Sequence, residues 1–303
     1  MSKILRISRR LYNFIIYAIT YKRRHAFKIL NLDDTVYEIV KNKKSISRFG
    51  DGEFDILFNY LGISDVECGF QKFSESLGKR LYQILTEESL PNHFIGLPGS
   101  IGSQGLLNFR WEDLRYWQNY LRVHLKHFEK IIPIWRIYGD ANFTRFYMQL
   151  RDKSQTKLYV DKLRKIWDDR DVLIVEGINT RLGVGNDLFD NVKSIRRILG
   201  PARNAFDKYD EILTNTLNAI QSKDTLILAS LGATATVLTY DLAKHGYQAI
   251  DTGHVDIEYE WMLKGVKKKT IVVGKYVNEV KAGLEYSGAE DKKYINQIIM
   301  KIE

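Results

Sequence analysis

Ile4, Ile7, Leu11, Phe14 and Ala18 recur at steps of three and four, and Ile15 and Ile19 widen the stripe they form. Arg6, Arg9, Arg10 and Asn13 fall elsewhere around the wheel, so the first twenty residues predict a basic amphipathic helix. Its unbroken apolar run lies between Asn13 and Thr20, far short of the ~20 residues that cross a bilayer. Tyr21, Lys22, Arg23 and Arg24 come next in place of a small-residue cleavage site, so no export is expected. Beyond this extension the pattern changes to short apolar runs bounded by charge or glycine. Strands are predicted at Ser45–Phe49, Phe94–Leu97, Val172–Val175, Thr225–Ala229, Gln248–Asp251 and Thr270–Val273. Helical stretches such as Leu81–Glu87, Trp111–Ile131, Asp207–Ala219 and Thr236–Lys244 lie between them. Strand, helix, strand order with buried-type strands predicts an α/β fold built on a doubly wound, mainly parallel sheet. In such sheets ligands bind beyond the carboxyl ends of the strands, so the segment after each strand is the place to seek chemistry.

Composition narrows the picture. The 303 residues are 45% apolar and 27% charged, which excludes disordered and collagen-like chains and leaves ample material for a core. No linker-like stretch divides the body, so the expected organisation is an N-terminal extension over 1–37 and one domain over 38–303. A single cysteine, Cys68, rules out an internal disulfide and a thiol pair for zinc, a pattern that suits a cytoplasmic protein. Eight of the net nine positive charges fall within residues 1–31, which contain no acid. The body is nearly neutral, and a chain-wide nucleic-acid footprint is not expected. The basic helix fits either an anionic membrane surface, reached through residues 1–28, or packing on the protein itself.

Four segments lie directly after predicted strands. In the first, Arg48-Phe-Gly-Asp-Gly-Glu53, Asp51 and Glu53 leave a strand through glycines, and on an extended backbone they project to one side. Two such carboxylates suit Mg or Mn held against a diphosphate, with Arg48 as a phosphate partner; Asp-Gly is also an ordinary turn. The second holds Arg181, Gly183, Gly185, Asn186 and Asp187, a loop suited to a nucleotide or its phosphates or, equally, to capping the next helix. Leu188 stands where a dinucleotide fingerprint needs its third glycine. The third, Gly232-Ala-Thr-Ala-Thr236, opens a helix and offers an anion seat at Gly232 and Thr234. The fourth sets His254, Asp256, Glu258 and Glu260 along one side of an extended segment, or Asp256 and Glu260 one turn apart on a helix, and one of these groups is a candidate base. Together they fit a metal-dependent reaction on a nucleoside-diphosphate compound better than hydride transfer.

Six segments carry a resemblance: Arg48–Phe54, Gly183–Phe189, Asn204–Phe206, Ala235–Ala243, Asp251–Trp261 and Lys275–Glu279. In this order they resemble the glycosyltransferases of the GT-D fold, a family first catalogued as a domain of unknown function. The resemblance covers residue 38 to the C-terminus and implies a Rossmann-like parallel sheet. It also implies transfer of a hexose, glucose first and galactose second, from a UDP-sugar to a growing glycan such as that on bacterial serine-rich adhesins. A manganese-dependent Asp-x-Glu motif is implied as well, and it falls on Asp51 and Glu53. The chain departs from the family pattern at Ala233, where proline is expected, and in the basic N-terminal helix, which lies outside the family core.

The expected mechanism places Mn or Mg on Asp51 and Glu53, with Arg48, Arg181 and the loop Gly183, Gly185, Asn186 and Asp187 assisting the UDP-sugar. Glu258 or Asp256 would take the acceptor hydroxyl's proton, with His254 third. The rivals are a non-catalytic membrane-associated module that binds a glycan or a protein, and metal-dependent phosphoester hydrolysis.

Overall fold

The computed structural model describes residues 3–66, 69–87, 90–102, 108–277, 279–280, 283 and 291–303; Cys68 and Asn278 lie outside them. Short apolar runs become the strands β1 (Lys28–Ile29), β2 (Ser45–Arg48), β3 (His93–Leu97), β4 (Ile137–Asp140), β5 (Asp171–Gly177), β6 (Ser194–Gly200), β7 (Leu226–Ser230), β8 (Gln248–Asp251) and β9 (Ile298–Lys301). The helices are α1 (Lys3–Ile19), α2 (Tyr21–Arg24), α3 (Leu32–Lys41), α4 (Asp51–Tyr60), α5 (Glu75–Thr86), α6 (Trp111–Ile131), α7 (Thr156–Arg164), α8 (Tyr209–Ala219), α9 (Ala233–Lys244), α10 (Val255–Leu263) and α11 (Lys292–Gln297). Among the described residues these strands form one sheet in the order β1-β4-β3-β2-β8-β7-β5-β6-β9. Every pairing in it is parallel.

Strand periodicity divides the core between two faces. Ile46, Ile174, Leu228 and Ile250 pack with α3, α7 and α10, while their neighbours Leu173, Val175, Ile227 and Ala229 pack under α8 and α9. Beside this second layer, Ile95 and Leu97 of β3 meet α4, α5 and α6, where Phe54 sets its ring edge-on to Phe128 at 4.7 Å. With helices over both faces the sheet is doubly wound, as the alternation predicts. The boundary expected after residue 37 falls within α3, and β1 already belongs to the sheet.

Three local expectations fail for identifiable reasons. Thr270–Val273 pairs with no strand, and Val273 is 80% exposed. β6 was concealed by Arg196 and Arg197, because a buried strand is expected to be apolar; Arg197 is buried all the same, paired with Glu176 at 2.6 Å. His254–Glu260 is helical, not extended. Helix α10 is buried from Val255 to Trp261, so it carries no amphipathic period to betray it. Among the described residues no helix is long and apolar enough to cross a membrane.

Candidate active site

At β2 and β8 the sheet order passes from one half of the chain to the other, and a cleft of about 810 Å³ opens there beyond the strand ends. Segments following six strands line it: Pro98 after β3, Arg48 to Glu53 after β2, Asn142 and Arg145 after β4, Thr180 after β5, Gly232 after β7, and Asp251 to His254 after β8. The first turn of α6 closes one side through Asp113, Tyr116 and Trp117.

Chain direction at β2 is set by a helix start. Gly50 is the N-cap of α4, and its N–H donates to Glu53 Oε2 at 2.7 Å. Asp51 and Glu53 therefore stand on the first turn of a helix, about 200° apart around its axis, and not side by side on an extended strand. Both still line the cleft. Asp51 is exposed and accepts a hydrogen bond from the Tyr116 hydroxyl at 2.6 Å. Burial, and next the negative charge of Asp251, push the Glu53 carboxyl up to about 7. Burial also raises Asp251, against the pull of Arg48, which approaches it at 3.5 Å. Arg48 further donates from Nε to the Ala141 carbonyl at 2.7 Å and packs flat on Gly253; a Cβ there would lie 1.8 Å from Nη1. Gly253 also has φ of +46°, so both space and backbone select glycine.

Among the described residues no three His, Cys, Asp or Glu side chains converge closely enough to enclose a metal. An Mg- or Mn-type ion that shares its shell with phosphate and water asks for only one or two carboxylates. Asp51 on the open side, with Glu53 beside the like charge of Asp251, has the donor chemistry for such an ion.

A second cluster faces this one. His254, the N-cap of α10, brings Nδ1 within 3.1 Å of both Glu279 Oε1 and Arg145 Nη2, while Arg145 Nη1 donates to the same Glu279 oxygen at 2.7 Å. Lys269 pairs with the other Glu279 oxygen. Burial opposes ionisation of Glu279, but Arg145, His254 and Lys269 outweigh it and hold the carboxyl well below the usual range. Burial lowers the His254 imidazole, with Arg145 adding to this and Glu279 opposing it.

Of the residues selected from the sequence, Arg48, Asp51, Glu53, Gly232, His254 and Asp256 line the cleft. Asp256 is not poised as a base: Oδ2 accepts from Lys275 at 2.6 Å and Oδ1 from Asn186 at 2.7 Å. Glu258, on a different side of α10, is wholly buried and accepts from the Tyr147 and Met148 N–H groups at 2.9 and 2.7 Å. Thr234 is buried behind Gly232, 3.4 Å from Gln71 Oε1. Gly183, Gly185 and Asn186 border a separate small hollow against Tyr294 and Gln297. Arg181 is buried over the Tyr294 ring at 4.9 Å, and Asp187 accepts from the Tyr259 hydroxyl. Gly183 is explained by packing, since a Cβ would lie 2.2 Å from the Phe189 ring. Arg145, Glu279 and Tyr116 were not singled out as site residues. Recognising β4 would have exposed Arg145 as a residue that comes after a strand, whereas nothing in the helical pattern of α6 distinguishes Tyr116.

A family model described as the glycosyltransferase GT-D fold matches residues 46–280. The chain belongs to the GT-D-fold glycosyltransferase family. It is 35% identical over 275 residues to a probable glycosyl transferase, Gly, of Streptococcus gordonii, a match covering 90% of this chain and 39% of that protein. Glycosyltransferase GlyD of Streptococcus pneumoniae serotype 4 is 33% identical over 276 residues, covering 91% of this chain and 32% of GlyD. This GT-D member thus spans well under half the length of either relative. A solved structure described as a highly conserved domain of unknown function with a distinct glycosyltransferase fold aligns at TM-score 0.86 and 34% identity, over 95% of this chain and 100% of that one. A glycosyltransferase from Streptococcus sanguinis aligns at 0.82 and 33%, over 91% and 100%. The GT-D match includes every residue that lines the cleft, from Arg48 to Glu279, and excludes α1.

Proposed function

We propose that this chain transfers a hexosyl group, glucose in the first place and galactose in the second, from a UDP-sugar to a hydroxyl of a glycan or glycoprotein acceptor. The observation that carries the reading is one cleft, large enough for a nucleotide sugar, that joins carboxylates of metal-binding type, buried arginines and an imidazole at the strand ends of a GT-D fold. Asp51 and Glu53 are the residues to hold Mn or Mg, which when bound supplies positive charge against the diphosphate.

The remaining work falls to the protein. Gly232 and Ala233 present the amino end of α9 to the cleft, where helix amides favour phosphate. Arg48 and Lys269 add fixed positive charge along its walls as the leaving UDP gains an electron pair. Glu279, held ionised, takes the Nδ1–H of His254 as a charge-assisted hydrogen bond, and this tautomer leaves Nε2 to accept a proton. His254 Nε2 removes the acceptor hydroxyl's proton as its oxygen bonds to the anomeric carbon and the bond from that carbon to UDP breaks. Glu258 and Asp256, both engaged elsewhere, orient neighbouring backbone and side chains.

Calorimetry of UDP binding with and without Mn, on the wild type and on Asp51→Asn, tests the reading. UDP binding that requires Mn and is lost in the variant supports it, and a donor screen by UDP release then identifies the sugar. Folded protein that binds no UDP under either condition overturns it.

A further inference from the structure

Helix α1 packs on the protein with the face opposite to the one its sequence advertises. Asn13 and Thr20 are buried, and Tyr17 packs beside them at the contact with α6. These three positions lie on one side of the wheel, roughly half a turn from the apolar stripe. That stripe is left in solvent: Ile7, Leu11, Phe14, Ile15 and Ile19 are each between 47% and 68% exposed. The orientation is fixed by Arg24, which is 1% exposed. It donates to the Gly102 carbonyl at 2.5 Å and the Tyr17 carbonyl at 3.0 Å, and its guanidinium lies 3.7 Å from the Tyr17 ring centroid. Single exposed apolar residues need no explanation, but a continuous stripe on an anchored helix does.

We propose that this exposed face of α1 docks the protein on an anionic lipid bilayer, the helix lying in the interface with its apolar stripe inward. The charge of the segment selects this occupant. Residues 1–31 carry eight basic side chains and no acid. Pairing of α1 with a second copy would set two wholly basic segments against each other, whereas anionic headgroups complement them. Arg10 and Lys22 are exposed and available to headgroups, while Arg23 is committed to Glu129 of α6. The family match begins at residue 46, so docking is a property of this segment and holds whether or not the transfer reading does.

Cosedimentation of the full chain with vesicles tests it, using phosphatidylcholine alone and phosphatidylcholine mixed with phosphatidylglycerol, alongside light scattering for oligomeric state. The expected result is binding to the phosphatidylglycerol vesicles only, weakening as salt rises. Arg10→Gln with Lys22→Gln should lower the partition about 25-fold, at about fivefold per charge removed. Leu11→Asp with Ile15→Asp should abolish binding, with the melting temperature unchanged because both positions are exposed. The proposal is overturned if folded protein stays in the supernatant with phosphatidylglycerol vesicles at low salt. Equal binding by the charge-neutralised variant overturns it too, as does a wild-type dimer that Leu11→Asp converts to monomer.

Discussion

Replacing Glu258 separates two roles that its sequence position leaves open. It is fully buried, and one oxygen serves both the Tyr147 and Met148 amides just beyond Arg145, so it fixes the segment that carries a cleft arginine. In Glu258→Ala both amides lose their acceptor, and a buried unsatisfied N–H costs about 1–3 kcal/mol, for a total of about 2–6 kcal/mol. That corresponds to a fall in melting temperature on the order of 5–15 °C. Glu258→Gln keeps an acceptor oxygen, and its amide group occupies the place of Oε1, which has no partner; the expected loss is about 1–2 kcal/mol. Denaturant unfolding of the three proteins measures these differences, and initial rates of sugar transfer per folded molecule measure the other role. A positioning residue predicts a Gln variant within about threefold of wild-type kcat, whereas removing a general base costs roughly 100- to 10,000-fold. Wild-type stability in Glu258→Gln together with a collapse of kcat and a lost limb of the pH profile would refute the reasoning.

The ion pairs give two more expectations. Lys275→Met leaves Asp256 and Glu260 buried without their shared ammonium, at a cost of about 3–5 kcal/mol in unfolding experiments at pH 7; the loss should shrink toward pH 5 as the orphaned carboxylates take up protons. The transfer rate depends on neutral His254, whose imidazole burial and Arg145 hold below its ordinary value of about 6.5, so kcat/KM should stay level down to that pH and fall only below it. Glu279 opposes this shift, so in Glu279→Gln the acid limb should move to lower pH; a move to higher pH contradicts the assignment.

Much of the frame was legible because buried parallel strands need apolar runs, and Phe94–Leu97, Val172–Val175 and Gln248–Asp251 have them. β6 was not, since the pairing of Arg197 with Glu176 that makes its burial tolerable joins residues 21 positions apart on neighbouring strands. The loops after β2, β7 and β8 were recognisable by their glycines, and each reaches the cleft. Gly183 and Gly185 gave the same signal for another reason. Both have positive φ, and the first makes room for Phe189, so these glycines serve a turn and a packing contact. Arg145 and Glu279 form an ion pair across 134 residues, which no local pattern encodes.

The acids of this protein are best sorted by what answers their charge. Glu176 has Arg197, Asp256 has Lys275, and Glu258 has two amides, so each is satisfied in place and none needs a ligand. At the ends of β2 and β8 the balance differs. Glu53 and Asp251 raise each other's carboxyl values, and the cation between them, Arg48, is drawn toward the Ala141 carbonyl and stands 3.5 Å from Asp251. Asp51 adds a third carboxylate within the same cleft. A buried surplus of negative charge costs stability unless something positive binds there, and this is the physical ground for placing the proposed divalent ion at Asp51 and Glu53. It also yields a measurement independent of turnover. Mn or Mg should raise the melting temperature of the wild type in proportion to its occupancy, and Asp51→Asn should lose that gain while melting near the wild type without metal.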